Sequence, residues 1–90
     1  MLLDQILFNK DEILSIFKKY DARNVGIFGS VAKGEETEIS DIDFVADFTA
    51  DVIVDLRKEL STLLRREIDL ATWDALRYNK YKALDEVIML

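Results

Sequence analysis

Two aspartates alternate with large apolar residues in the segment 40–45, which reads Ser-Asp-Ile-Asp-Phe-Val. Successive side chains of a β-strand point to opposite faces, so Asp41 and Asp43 would share one face while Ile42 and Phe44 enter a core. Two carboxylates held that close repel each other and raise each other's pKa unless a cation lies between them. The pair therefore predicts a site for a divalent metal ion with oxygen ligands.

A second candidate segment is the turn Gly29-Ser30, which follows a short apolar run over residues 25–28. A turn that ends a strand and starts a helix presents backbone N–H groups, a hydroxyl and the positive end of a helix dipole, all of which suit a phosphate. Lys33 follows closely and could contact a triphosphate. A phosphate site beside a metal site indicates phosphoryl or nucleotidyl transfer.

A third carboxylate, Asp69, lies between Ile68 and Leu70 in a segment that is predicted to form a strand. Alternation turns its side chain away from those two apolar neighbours, and a strand–helix–strand crossover could bring it beside the aspartate pair. Three acidic ligands on two adjacent strands suit two magnesium ions about 4 Å apart, which stabilise both the attacking and the leaving oxygen in phosphoryl chemistry. The three aspartates are therefore the candidate catalytic and metal-binding residues.

Each of these features also has a simpler interpretation. A Gly-Ser dipeptide usually marks a turn, and an Asp-x-Asp pair at a strand end is more often solvated or paired with lysine than bound to metal. Asp69 could form a salt bridge with Arg65 or Arg66, and Lys33 could be solvated. The combination of a strand, Gly-Ser, a polar loop, Asp-x-Asp, a helix and a strand with an aspartate is far more restrictive than its parts.

Hydrophobic periodicity predicts the elements that would position these residues. The predicted fold is α/β (α+β), a short mixed β-sheet with helices on one side, in which the crossover makes the second and third strands parallel. Asn9, with Glu12 three residues later, could form a capping box that restarts a helix. The predicted elements are one or two helices before Asp21, strands over 25–28, 41–46 and 67–71, helices over 31–33 and 51–66, and a helical tail over 73–90 that could break near Asn79.

Composition limits the classes of function open to the chain. Its 90 residues, half of them apolar, suffice for one domain over residues 1–90. The net charge of -6 argues against nucleic acid as a partner, because affinity for it comes from neutralising phosphates. The absence of cysteine and histidine excludes disulfides, thiolate or imidazole zinc sites and Ser-His or Cys-His catalysis. No apolar stretch approaches the length of about 20 residues that spans a bilayer, so we expect no membrane insertion and a cytoplasmic location.

The combination of motifs resembles the minimal nucleotidyltransferases (MNT domains) of the DNA polymerase β-like superfamily over nearly the whole chain. Residues 29–34 resemble the GSxARG segment of that family, with Lys33 where arginine is usual. Residues 40–44 match its SDxDL segment almost letter for letter, and residues 68–70 match the VDL segment of its third carboxylate. The resemblance implies a polymerase β-like nucleotidyltransferase fold.

The same resemblance implies a role for each candidate residue. The turn would bind the triphosphate of ATP through Gly29 and Ser30, and Lys33 could add a contact. The aspartate pair would bind both Mg²⁺ ions, and Asp69 would complete the metal site on the acceptor side. Lysine at position 33 keeps the charge of arginine but loses its two-pronged guanidinium.

The resemblance also implies a partner. Stand-alone members of this size are typically antitoxins that inactivate a HEPN-domain ribonuclease toxin by transferring AMP to one of its tyrosines. Two alternatives stay open: a catalytically idle antitoxin that neutralises its partner by binding, and an enzyme that modifies a small molecule, which would need more chain for an acceptor pocket. The apolar residues 87–90 either pack on the core or dock on another protein.

Overall fold

A computed structural model describes residues 2–90 of the chain. Its helices are α1 (Leu2–Phe8), α2 (Lys10–Lys19), α3 (Gly29–Lys33), α4 (Ile53–Leu64) and α5 (Trp73–Asn79). Its strands are β1 (Arg23–Phe28), β2 (Ile42–Asp47), β3 (Ile68–Thr72) and β4 (Ile88–Met89). Short 3-10 turns over Ala50–Val52 and Tyr81–Glu86 lead into α4 and towards β4. None of the helices described over residues 2–90 is long and apolar enough to cross a membrane.

The four strands form one mixed sheet in the order β3-β2-β1-β4. Strand β1 is antiparallel to both β2 and β4, whereas β2 and β3 run parallel. Helix α4 lies between β2 and β3 in the chain and provides the crossover that a parallel pair needs. The predicted mixed sheet and the parallel pairing of the second and third strands are therefore confirmed.

Side chains that alternate along the strands divide the buried residues between the two faces of the sheet. On one face, Ile27 and Phe44 belong to the main core, to which α1, α2 and α4 contribute. On the other face, Phe28 and Val45 pack with Leu76 of α5 in a smaller core. The predicted layer of helices covers the first face. Helix α5 packs on the second face through Leu76.

The tail departs from the predicted helix after Asn79. A 3-10 turn follows, and β4 then pairs with β1 at Gly26 and Ile27. The predicted break near Asn79 is confirmed. The prediction that the tail is helical to residue 90 is wrong, because the free edge of β1 offers backbone hydrogen-bond partners that a local sequence pattern does not reveal. Gly26 permits the close approach, since a Cβ atom there would lie 2.6 Å from Val87 Cγ1.

The apolar end of the tail packs on the protein itself. Val87 contacts the smaller core and Leu90 contacts the main core. Met89 points outward and is 54% exposed. Of the two interpretations of residues 87–90, packing on the core accounts for most of the segment.

The predicted restart of the N-terminal helix falls at Asn9, but the capping box does not form. The Asn9 amide donates to the carbonyl of Gln5 at 2.9 Å and makes no capping hydrogen bond to α2. The C-terminal end of α2 is tied to α4, because Glu59 of α4 accepts hydrogen bonds from Tyr20 and Lys19. The hydrogen bond to Glu59 raises the pKa of Tyr20 to about 12.

Candidate active site

Strand register brings the candidate residues to one edge of the sheet. Phe28 lies opposite Asp43 in the antiparallel pair of β1 and β2, and Asp43 lies opposite Asp69 in the parallel pair of β2 and β3. Gly29 comes directly after the first of these positions. The end of β1 therefore meets the starts of β2 and β3, and the Gly-Ser turn comes together with two of the three carboxylates.

Alternation along β2 and β3 leaves the carboxylates on the accessible side. Their apolar neighbours in both strands are buried in the main core. Asp43 is half-buried, and Asp69 is exposed. Asp41 precedes the first residue of β2 and is also exposed. Asp43, which lies between the Gly29-Ser30 turn and β3, is thus the most buried of the three aspartates.

The environment of Asp43 disfavours its ionised form. Burial is the largest cause, and it combines with the negative charge of Asp69 to raise the pKa of Asp43 to about 6. A hydrogen bond between these two carboxyl groups and the charge of Asp41 act in the same direction, whereas the positive charge of Lys80 opposes them. A cation beside the pair would favour the ionised form of both carboxylates.

The donor atoms suit a hard divalent cation, because carboxylate oxygens are what Mg²⁺ prefers. The three aspartates are nevertheless not assembled in advance. Over residues 2–90 no group of three or more acidic side chains is arranged so that it could hold a metal ion. Asp43 and Asp69 are matched in register, whereas Asp41 precedes β2 and is exposed.

Gly29 makes the closest approach of the turn to the carboxylates. Its φ of +75° lies in the left-handed region, and a Cβ atom at this position would overlap Oδ2 of Asp43. Helix α3 begins here without a side-chain cap, and Ser30 is half-buried at its first turn. A glycine is therefore required for both the backbone conformation and the contact with Asp43.

Lys33 is exposed, as its simpler interpretation predicts, whereas Arg66 does not pair with Asp69. Lys33 Nζ lies 3.8 Å from carboxylate oxygens of both Glu35 and Glu86. Arg66 forms no ion pair with Asp69 in the described chain; it donates to the carbonyl of Ser40 at 2.9 Å and also to that of Thr37. Arg66 thus anchors the loop that leads into Asp41, a role that no local sequence signal indicates.

We predict that Asp69→Asn lowers the pKa of Asp43 from about 6 towards its ordinary value of 3.8. The substitution removes the neighbouring negative charge but leaves the burial, so the pKa should fall only part of the way. Carboxyl-carbon NMR titration of the two proteins without divalent cations measures it. Glu67→Gln, an exposed substitution two residues earlier, is the control. An unchanged pKa in Asp69→Asn would show that the two carboxyl groups do not interact.

Comparison with known proteins identifies the family of this chain. The profile of the nucleotidyltransferase domain family matches residues 10–90. A relative in Methanocaldococcus jannaschii, provisionally named a protein adenylyltransferase, is 36% identical over 77% of this chain and 76% of its own length. The chain belongs to the nucleotidyltransferase domain family, so the resemblance read from its motifs is confirmed.

Solved structures extend the likeness to the whole fold. A structure provisionally described as a minimal nucleotidyltransferase has a TM-score of 0.82 and 29% identity, covering 100% of this chain and 97% of that chain. A chain of a toxin–antitoxin crystal structure with AMP-PNP has a TM-score of 0.70 and 20% identity, covering 90% of this chain and 71% of that chain. The second likeness concerns the fold alone.

Proposed function

We propose that this protein is a magnesium-dependent nucleotidyltransferase that transfers AMP from ATP to a tyrosine hydroxyl of a HEPN-domain ribonuclease toxin and thereby acts as an antitoxin. The observation that carries the proposal is the matched register of Asp43 and Asp69 beside the Gly29-Ser30 turn. An acidic pair supports metal binding, and an uncapped helix start in contact with it supports phosphate binding.

The metal-binding part of the proposal assigns Asp41, Asp43 and Asp69 to two Mg²⁺ ions. The ions would supply neutralisation of the triphosphate charge and activation of the acceptor hydroxyl. The raised pKa of Asp43, caused first by burial and then by Asp69, favours this assignment because a cation would relieve the repulsion. Arg66 would help by holding the loop before Asp41, whose exposed side chain would turn towards the ions.

The nucleotide-binding part assigns Gly29, Ser30 and Lys33 to the triphosphate. Backbone N–H groups at the start of α3 would donate to phosphate oxygens, and the Ser30 hydroxyl would add a hydrogen bond. Ser30 is not a nucleophile in this proposal. Lys33 would exchange its two 3.8 Å ion pairs with Glu35 and Glu86 for the phosphates.

In the proposed reaction the tyrosine oxygen of the partner attacks the α-phosphorus of ATP. The bond from that phosphorus to the oxygen bridging the α and β phosphates breaks, and pyrophosphate leaves. The exposed Asp69 is available to accept the proton of the acceptor hydroxyl. The turn at Gly29 would hold the triphosphate beside the aspartates while the acceptor hydroxyl approaches.

Two comparisons support the protein partner. The relative in Methanocaldococcus jannaschii is named for the transfer of adenylyl groups to protein, although provisionally. A chain with the same fold occurs in a toxin–antitoxin crystal structure with an ATP analogue. The acidic surface of this chain, with a net charge of -6, also suits a basic protein better than a nucleic acid.

The direct test is incubation of the purified protein with ATP, Mg²⁺ and its HEPN partner, followed by intact-mass spectrometry of that partner. We expect one or more AMP units on the partner, pyrophosphate in solution, and no modification when EDTA replaces Mg²⁺. Tandem mass spectrometry should place the AMP on a tyrosine. An unmodified partner whose ribonuclease is nonetheless fully inhibited would identify the protein as a catalytically idle antitoxin instead.

A further inference from the structure

Lys80 lies at the carboxylate edge of the sheet, directly after α5. Its ammonium nitrogen is 5.9 Å from the centre of the Phe28 ring. Phe28 is the last residue of β1, directly before the Gly-Ser turn, and it lies opposite Asp43 in the sheet. The cation therefore reaches the place where the turn and the aspartate pair meet, although sequence reasoning does not single it out.

Backbone hydrogen bonds hold Lys80 at this edge from both sides. Its N–H donates to the carbonyl of Leu76, and its carbonyl accepts from the N–H of Ala83, each at 2.8 Å. Leu76 and Ala83 both pack in the smaller core with Phe28. The start of the side chain is thus anchored to the sheet, while its flexible four-carbon stem lets the ammonium group move towards a ligand.

The charge of Lys80 has no fixed carboxylate partner. Among residues 2–90 no ion pair within 4.0 Å includes Lys80, in contrast to Lys33 with its two glutamates. The ammonium group of Lys80 is therefore available to an anionic ligand at this edge of the sheet.

We propose that Lys80 is a phosphate-binding residue that contacts the triphosphate of the bound nucleotide from the side of α5. The inference rests on the proposed function, since it concerns the same nucleotide site. A triphosphate carries more negative charge than a carboxylate, and an unpaired lysine binds phosphate oxygens through strong charge-assisted hydrogen bonds. The turn directly follows Phe28, whose ring centre is 5.9 Å from the Lys80 ammonium nitrogen, so phosphates held at the turn would lie at the same edge of the sheet as this charge.

The test compares Lys80→Met with Lys82→Met, which removes the same charge from an exposed lysine two residues further along. The ligand is α,β-methylene-ATP with excess Mg²⁺, which cannot be cleaved at the bond that the transferase breaks. We expect Lys80→Met to bind it about tenfold more weakly than wild type, measured by calorimetry. Lys80→Arg should restore most of the affinity, and Lys82→Met should bind like wild type.

Binding of AMP, which has only one phosphate, distinguishes a contact between Lys80 and the triphosphate from an indirect structural effect. If Lys80 only stabilises Phe28 and the turn, Lys80→Met should weaken AMP and α,β-methylene-ATP by the same factor, which would overturn the proposal. If Lys80 binds the triphosphate, the loss should be much smaller for AMP, measured by NMR titration. Thermal unfolding monitored by circular dichroism checks that each variant is folded, and Lys80→Gln is a second uncharged variant.

The outcome also separates this inference from the proposed function. Normal affinity of Lys80→Met for α,β-methylene-ATP, in a protein whose wild type binds it, overturns the role of Lys80 alone. Failure of the wild-type protein to bind α,β-methylene-ATP with Mg²⁺ overturns both the proposed function and the role of Lys80.

Discussion

Asp43→Asn is expected to abolish nucleotide transfer, with a loss of at least about 1000-fold, as found when a group essential to charge stabilisation in a transition state is removed. Asp43 is the half-buried carboxylate that lies opposite Asp69 and in contact with Gly29. An asparagine has similar size and keeps the strand intact, but it cannot neutralise a metal ion. Rates of pyrophosphate release with ATP, Mg²⁺ and the partner protein measure the effect.

Asp47→Asn is the matched control for this substitution. Asp47 ends the same strand and is exposed, and it accepts a hydrogen bond from Asn24 at 2.7 Å. Both variants remove one negative charge from β2, but only Asp43 lies at the Gly-Ser turn. Asp47→Asn should keep nearly full activity. Equal activity of Asp43→Asn and Asp47→Asn would contradict the assignment of Asp43 to the active site.

Asp43→Asn should also unfold at a higher temperature than wild type at pH 7. The pKa of Asp43 is about 6 in the folded protein and ordinarily 3.8, so the folded state holds this proton more tightly. The stability that it contributes is full below pH 3.8 and is lost as pH rises to about 6. After allowance for solvent screening, Asp43→Asn should gain about 1 kcal/mol, or about 4–8 °C in Tm. At pH 4 the gain should be much smaller.

Gly29→Ala should reduce nucleotide transfer by at least about 100-fold while the protein still folds. The new methyl group would overlap the Asp43 carboxylate, so it must displace the aspartate or the turn. The positive φ adds about 1–2 kcal/mol of backbone strain for any L residue. Activity and thermal unfolding, measured on the same preparation, separate the effect on the site from the effect on stability.

Gly34→Ala controls for the backbone strain. Gly34 ends α3 with a φ of +71°, close to that of Gly29, and it is exposed. The two alanine variants should lose similar backbone stability, but Gly34→Ala should keep most of its activity because it does not touch Asp43. If both variants lost activity equally, strain in α3 and not contact with Asp43 would explain the effect.

Much of the fold could be predicted from local patterns. Alternation around Asp43 and Asp69 identified two strands whose apolar residues are buried, and the amphipathic segment between them identified the crossover helix α4. These features follow from hydrophobic periodicity, which can be recognised in the sequence, and from the rule that two parallel strands need a crossover connection. The three motif segments over residues 29–34, 40–44 and 68–70, taken together and in this order, were sufficient to identify the family.

The sequence alone did not determine the tail, because residues 88–89 become a strand only where the edge of β1 is free and Gly26 leaves room. It could not reveal that Arg66 holds the loop before Asp41, nor that Lys80 reaches Phe28, since these contacts join residues 26 and 52 positions apart. The residue types that do chemistry can be recognised in order along the chain. Their register, their burial and the charges around them depend on packing between distant segments, so only the tertiary structure decided them.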